Sequence, residues 1–292
     1  MANRNLLIQF KDRIVPFFLY SNIWIGLAAL AMVFQTEYLW LQGQIKWSTY
    51  HLFVFCATLF VYAAHRLLAL SRLNKSNWQE RFTYIARAQQ YILTYAIISG
   101  FITLVVFFFL DAATQVLLIM PGIISLAYIF PVLKGGKRVR DVHFIKIFLI
   151  ALVWAWITVT IPASVDDVIF ENQAIAIFWE RAFFIFAITL PFDVRDLLLD
   201  ADQDVLTLPR VLGARGTRTL AGIALLLSLI LAIYNLGYVY TPLVWSGLVL
   251  SLLIAYYLIY HAHEKQPDYY FTGYLDGTMI LQFLLVFLAG QA

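Results

Sequence analysis

Charge is what this chain has least of. Only 13% of its 292 residues are Asp, Glu, Lys or Arg, where a soluble domain carries about 25%. The complement is apolar: 62% of the residues are hydrophobic and the mean hydropathy is +0.80. So much apolar surface exceeds what one water-soluble core can bury, and lipid must solvate a large part of it. Cysteine is nearly absent: Cys56 stands alone inside an apolar run, which excludes an internal disulfide and argues against thiol chemistry. The first residues, MANRNLLIQFKDR, lack a signal-peptide cleavage pattern, so the first apolar run reads as a mature span. No low-complexity tract, sharp internal repeat or linker long enough for a second domain interrupts the chain. It reads as a single polytopic domain over residues 1–292.

What is present is a series of long apolar runs. A lipid-exposed helix needs about 20 mostly apolar residues. The sequence predicts nine: 14–34, 50–70, 90–110, 114–133, 144–163, 174–192, 219–239, 242–261 and 273–290. The fold class expected is therefore an all-α membrane protein, a nine-transmembrane-helix bundle whose cytoplasmic polar loops cap a central cavity. Pro121, Pro162 and Pro242 fall inside or at the ends of these runs, where neighbouring helices can satisfy the freed backbone. With the N-terminus placed in the cytoplasm, eighteen of the twenty Lys and Arg residues fall on that side. Lys46 and Arg181 fall opposite, beside Glu37, Asp111, Asp166, Asp167, Glu171 and Glu180. This bias follows the positive-inside rule and agrees with an odd number of spans. Trp and Tyr near the run ends fit interfacial belts. The expectation is a multi-pass protein of a bacterial inner membrane, with lipid as a partner and nucleic acid excluded.

The stretch after the sixth run carries the most chemistry. From Pro191 to Pro209 it holds Asp193, Asp196, Asp200, Asp202 and Asp204. If the sixth helix continues past the membrane edge, Asp193, Asp196, Asp200 and Asp204 project at about 0°, 300°, 340° and 20°, one narrow stripe. Arg195 and Asp202 then fall near the opposite face. Four aligned carboxylates repel one another unless a cation lies between them. Mg²⁺ is held by one or two carboxylates, waters and substrate phosphates, so the stripe suits a Mg²⁺–diphosphate site. A solvated acidic helix end is the plainer alternative. Placement beside the bilayer favours the functional reading, because ionisable groups there are usually kept for a purpose.

These residues resemble a known pattern. Arg195, Asp196 and Asp200, followed by Thr207, Leu208, Pro209, Leu212 and Gly213, look like the second aspartate-rich motif of UbiA-type intramembrane prenyltransferases. That motif also follows the sixth of nine transmembrane helices. Tyr128, Pro131 and Lys134, after the fourth run, resemble the family's Tyr-Pro-x-x-Lys element. With span count and topology included, the resemblance covers essentially the whole chain. It implies transfer of a polyprenyl group from its diphosphate to an aromatic or other lipid-soluble acceptor. It further implies that Asp196 and Asp200 are catalytic and hold Mg²⁺, with Asp193 and Asp204 beside them. Asp193 stands where relatives often carry Asn. Lys134 and Arg138 would contact phosphate or orient the acceptor. Two positions depart: the family's middle acid falls on Leu198 and its downstream glycine on Asp204, a residue that tolerates a left-handed turn.

The larger departure follows the second run. The family's first aspartate-rich motif belongs there, yet residues 61–72 contain no acid, and none occurs between Glu37 and Glu80. One of the two Mg²⁺ sites cannot be built from these side chains. Either His65, Arg66 and Arg72 neutralise the diphosphate as fixed cations, since Arg binds phosphate bidentately, or the protein binds or transports an isoprenoid or other lipid without catalysis. Arginines in such loops also serve topology and headgroup contact. Asn22, costly inside a span unless paired, could face the cavity and substrate or bond a neighbouring helix. Asp276 reads as an acid at a helix N-terminus, and His51 and His143 as interfacial polar groups. His261 and His263, two apart, do not share a helix face. Trp24, Trp154, Trp156 and the many Phe residues suit a prenyl tunnel or ordinary packing equally well.

Overall fold

The computed structural model of the protein describes residues 21–40, 43, 45–72, 80–165, 168–197 and 205–292. Among these, nine helices are long and apolar enough to cross a membrane: Ile23–Trp40, Thr49–Leu70, Gln89–Phe107, Ala112–Ile129, Ile145–Val165, Asn172–Arg195, Leu208–Tyr234, Pro242–His261 and Tyr270–Gln291. They are spans one to nine below. The described residues form no β-strand, only two isolated bridges. The protein is an all-α, multi-pass membrane protein, as its hydropathy implies.

The described part of span one begins at Ile23, after Asn22, which adopts a left-handed φ of 64°, a conformation that Asn accepts but a helix does not propagate. The expected residues 14–20 lie outside the described ones. Span seven begins at Leu208, eleven residues before the apolar run. Pro209 sits in its first turn, where a missing N–H costs nothing. Arg210, Arg215 and Arg218 lower the hydropathy of this stretch without breaking the helix. Gly213, at φ 68° and ψ 173°, kinks it, a conformation essentially restricted to glycine.

Span six is the most enclosed element, with 67% of its apolar window buried, and it packs chiefly on spans five and seven. Span one packs on spans two and nine. Trp24 donates from Nε1 to the Gly273 carbonyl at 3.1 Å, which pins the seam between spans one and nine. A π-helical turn, Trp156–Thr160, interrupts span five, and another, Tyr270–Leu275, opens span nine. Such turns free backbone carbonyls; Ile157 accepts one hydrogen bond from the Tyr50 hydroxyl at 2.6 Å.

Arg181 and Glu180, expected at the acidic face, lie within span six and are 1% and 2% exposed. Glu180 accepts from the Tyr240 hydroxyl at 3.0 and 3.1 Å. Arg181 donates from Nη1 to the Met32 carbonyl at 3.0 Å and to the Thr158 hydroxyl at 3.2 Å. A buried pair persists only with such compensation, and here it joins spans one, five and six.

Candidate functional site

The connecting segments after spans four, six and eight converge with the end of span two at the end of the bundle that carries the basic loops. After span four the chain makes a tight turn in which Gly135 and Gly136 both take positive φ, 75° and 71°. The turn closes through a hydrogen bond from Leu133 N to the Lys137 carbonyl at 2.9 Å. Lys134 stands exposed at its tip. Arg138 turns inward, is 3% exposed, and donates to both Asp141 oxygens at 2.7 to 3.1 Å. Burial alone would raise the Asp141 carboxyl, but the hydrogen bonds and charge of Arg138 hold it below the ordinary carboxylate range. The same loop is stitched to the segment after span six: Leu206 N donates to His143 Nδ1 at 3.0 Å and Phe144 N to the Leu206 carbonyl at 3.1 Å.

Arg140 links this loop to span two. Its guanidinium contacts His65 Nε2 and lies 5.1 Å from the centroid of the Tyr128 ring, within cation–π range. His65 also lies in the fields of Arg138, Arg66 and Asp196. The ends of spans two, four and six thus meet over one place.

The acids after span six are already engaged. Asp193 is buried and pairs with Lys146 Nζ at 2.8 Å. The helix ends at Arg195, and Asp196 caps it at φ −93°, ψ 8°. Arg195 was expected on the face opposite the carboxylates. Instead it donates to both Asp196 oxygens at 2.9 and 3.1 Å, because the helix stops there and the two side chains turn together. Arg195 also lies 3.5 Å from Asp268, after span eight, and packs over the rings of Phe192 and Phe271. Asp200 and Asp204 fall outside the described residues, as does the side chain of Arg72.

Beneath this polar cap lie two connected cavities. The upper, about 160 Å³, is bounded by His65, Tyr128, Tyr62 and Trp154. The lower, about 380 Å³, runs between spans two, three, four and five. Val61, Tyr62, Ser125, Val153 and Trp154 line both, so one crevice leads from the basic mouth into an apolar interior.

The structure therefore brings His65, Arg66, Arg138, Asp193 and Asp196 to one end of the bundle. Asn22 joins them at its edge, donating to the Tyr95 hydroxyl at 3.0 Å. Lys134 stands apart at its turn. Sequence reading missed Arg140, Asp141, Lys146 and Asp268 as members of this group. It read Asp276 as a helix-terminal acid, and Asp276 does open the α-helical part of span nine; the structure adds that it shares the fields of Arg195 and Arg66. The signal available for Asp276 was its position, an acid within a transmembrane run.

Among the described residues no three His, Cys, Asp or Glu side chains form a group that could hold a metal ion. Asp193 and Asp196 each carry a basic partner. The other acids of this segment, Asp200, Asp202 and Asp204, lie outside the described residues.

No protein-family model matches the chain, and no curated protein matches it. Solved structures do. A UbiA homologue from Archaeoglobus fulgidus bound to GPP and Mg²⁺ superposes with a TM-score of 0.62 at 13% identity, covering 94% of this chain and 100% of that one. A UbiA homologue from Aeropyrum pernix K1 gives 0.62 at 13% identity, over 91% and 97% of the two chains. Digeranylgeranylglyceryl phosphate synthase gives 0.54 at 11% identity, over 96% and 97%. The chain has the UbiA-type nine-helix fold along nearly its whole length.

Proposed function

We propose that this protein is a divergent intramembrane prenyltransferase, which moves a polyprenyl group from its diphosphate to an aromatic or other lipid-soluble acceptor. The observation that carries the reading is the junction of a basic mouth with an apolar crevice in a UbiA-type bundle. A prenyl diphosphate has the same two-part chemistry. Its head would sit against Arg66, Arg140 and His65, with Lys134 and Arg72 proposed as further phosphate contacts, and its tail would lie in the crevice. Arg138, held by Asp141, and Asn22, held by Tyr95, would shape the mouth. The orientation proposed places this mouth, and the N-terminus, on the cytoplasmic face.

In the reaction the allylic C–O bond breaks and its electron pair leaves with the diphosphate. The allylic cation then forms a bond to the acceptor, which releases a proton. Fixed guanidinium groups stabilise the leaving charge without reorganising during the reaction. The rings of Tyr62, Tyr128 and Trp154, at the top of the crevice, would face the developing cation. Mg²⁺ is proposed at a single site on Asp196 and Asp200, with Asp193 and Asp204 beside them, where it would offset charge on the diphosphate. The engagement of Asp193 and Asp196 with basic side chains favours a second reading, in which the same bundle binds or transports an isoprenoid or other lipid without catalysis.

The two readings separate with purified protein, Mg²⁺, a panel of prenyl diphosphates and a hydrophobic acceptor. The enzyme reading expects thermal stabilisation by a prenyl diphosphate and release of inorganic diphosphate. Asp196→Ala and Asp200→Ala should abolish release. Arg66→Ala should weaken diphosphate binding about tenfold or more, the loss of one charge-assisted contact. Lipid binding without diphosphate release in any combination would leave the non-catalytic reading standing.

A further inference from the structure

We infer that the outer seam of spans seven and eight, at the end of the bundle that carries the basic loops, seats the phosphate of an anionic membrane phospholipid between Arg215 and Arg218. The inference is independent of the proposed activity, since neither residue lines the crevice. Helical periodicity sets Arg215, Arg218 and Gly222 on one stripe of span seven, at i, i+3 and i+7. Two like charges so placed repel each other. Among the described residues neither arginine forms an ion pair that would offset the repulsion.

Arg218 is fixed in place. Its Nη2 donates to the carbonyl of Ala262, the C-cap of span eight, at 3.0 Å. Its guanidinium lies 5.6 Å from the centroid of the Tyr260 ring, within cation–π range. That one hydrogen bond uses a single N–H of the guanidinium, and no described hydrogen bond uses the rest. One turn earlier Arg215 is exposed, and its side chain has no described partner. Together they present a partly fixed cationic fork, the arrangement that takes phosphate oxygens bidentately.

The surroundings identify the phosphate's source. Further along the stripe, Gly222 lets the Tyr256 ring approach, and a Cβ there would lie 3.3 Å from it. Tyr256 and Tyr260 are one turn apart, their ring centroids separated by 6.4 Å, and they remain 47% and 54% exposed. Arg218 adjoins the apolar run that begins at residue 219, so its guanidinium lies at headgroup depth. The two tyrosines then lie just inside, where aromatic belts form. Val211 and Leu212 are exposed between the exposed Arg210 and Arg215, as suits an interfacial segment whose apolar side chains enter lipid. A phospholipid matches this order, with its phosphate on the arginines and its acyl chains beside the rings. A zwitterionic headgroup would bring its own ammonium against two guanidinium groups, which favours a lipid of net negative charge.

The test uses the full chain, delipidated in detergent and titrated with dioleoylphosphatidylglycerol, with binding read by native mass spectrometry and by the thermal midpoint. Phosphatidylglycerol should raise the midpoint and bind about tenfold tighter than dioleoylphosphatidylcholine, the equivalent of one charge-assisted contact. Arg215→Gln, which disturbs no described side-chain contact, should weaken phosphatidylglycerol by the same factor. Arg218→Lys keeps the charge but loses the fork, and should weaken it severalfold. Lys137→Gln removes an equal charge from the loop after span four and should change nothing. An equal loss in Lys137→Gln would show diffuse attraction in place of a site and overturn the inference, as would phosphatidylcholine binding just as tightly. Competition by glycerol 3-phosphate at the concentration that saturates phosphatidylglycerol would assign the seam to a free phosphate instead. Displacement by geranylgeranyl diphosphate, weakened equally by Arg215→Gln, would assign it to a prenyl diphosphate.

Discussion

Lys146 and Asp193 show how a single residue's role depends on its partner. Each is buried, and each offsets the other's charge at 2.8 Å. Removing one member takes away that offset, whereas removing both leaves a packing problem of a milder kind. Lys146→Met should therefore lower stability by about 3–5 kcal/mol, read from thermal unfolding in detergent. Combining it with Asp193→Leu should recover most of that loss. An additive, worse double variant would show that the pair is not the source of the effect. The same dependence bears on the candidate metal ligands. Asp196 is bound by Arg195, and Arg195 is shared with Asp268, so a cation arriving at Asp196 competes with a guanidinium already in place.

At the scale of elements, close helix approach is set by glycine, as expected where lipid supplies no hydrophobic drive between helices. Gly247 of span eight is the tightest case against backbone. A Cβ there would lie 2.6 Å from the Leu285 carbonyl oxygen and 3.0 Å from its carbon. Backbone cannot rotate away as a side chain can, so span nine itself must shift. Gly247→Leu is expected to cost about 1–3 kcal/mol, visible as a lower thermal midpoint. A variant as stable as wild type would mean that the two helices are free to separate. Span five and span nine use another device, the π-helical turn, which frees carbonyls inside the bilayer. The Tyr50 hydroxyl satisfies the one at Ile157.

At the scale of the whole molecule, two polar centres are spaced along span six, one within it and one at its end. Glu180 and Arg181 lie some thirteen residues, about 20 Å of helix, from Asp193 and Asp196. They share no described hydrogen bond with the basic mouth. Tyr240→Phe removes the hydroxyl that donates to Glu180 and should cost about 1–3 kcal/mol. Diphosphate binding at the mouth should not change. Combined with Lys146→Met, the losses should add within about 0.5 kcal/mol, as for distant independent sites. A larger departure from additivity would reveal coupling through span six.

The number of spans and the membrane class were legible from the sequence. Lipid solvation demands an unbroken apolar run for each crossing, and a run is a local property. The candidate site was legible in part, since Asp196, His65, Arg66 and Arg138 could be picked out as charged groups at span ends. What the sequence could not state is which charge meets which. Lys146 finds Asp193 across 47 positions, Asp268 reaches Arg195 from after span eight, and Arg140 reaches back to His65. Helical periodicity says which way a side chain points from its own axis, but it carries no information about the neighbouring axis. For that reason the ion pairs and the crevice were decided only by tertiary packing.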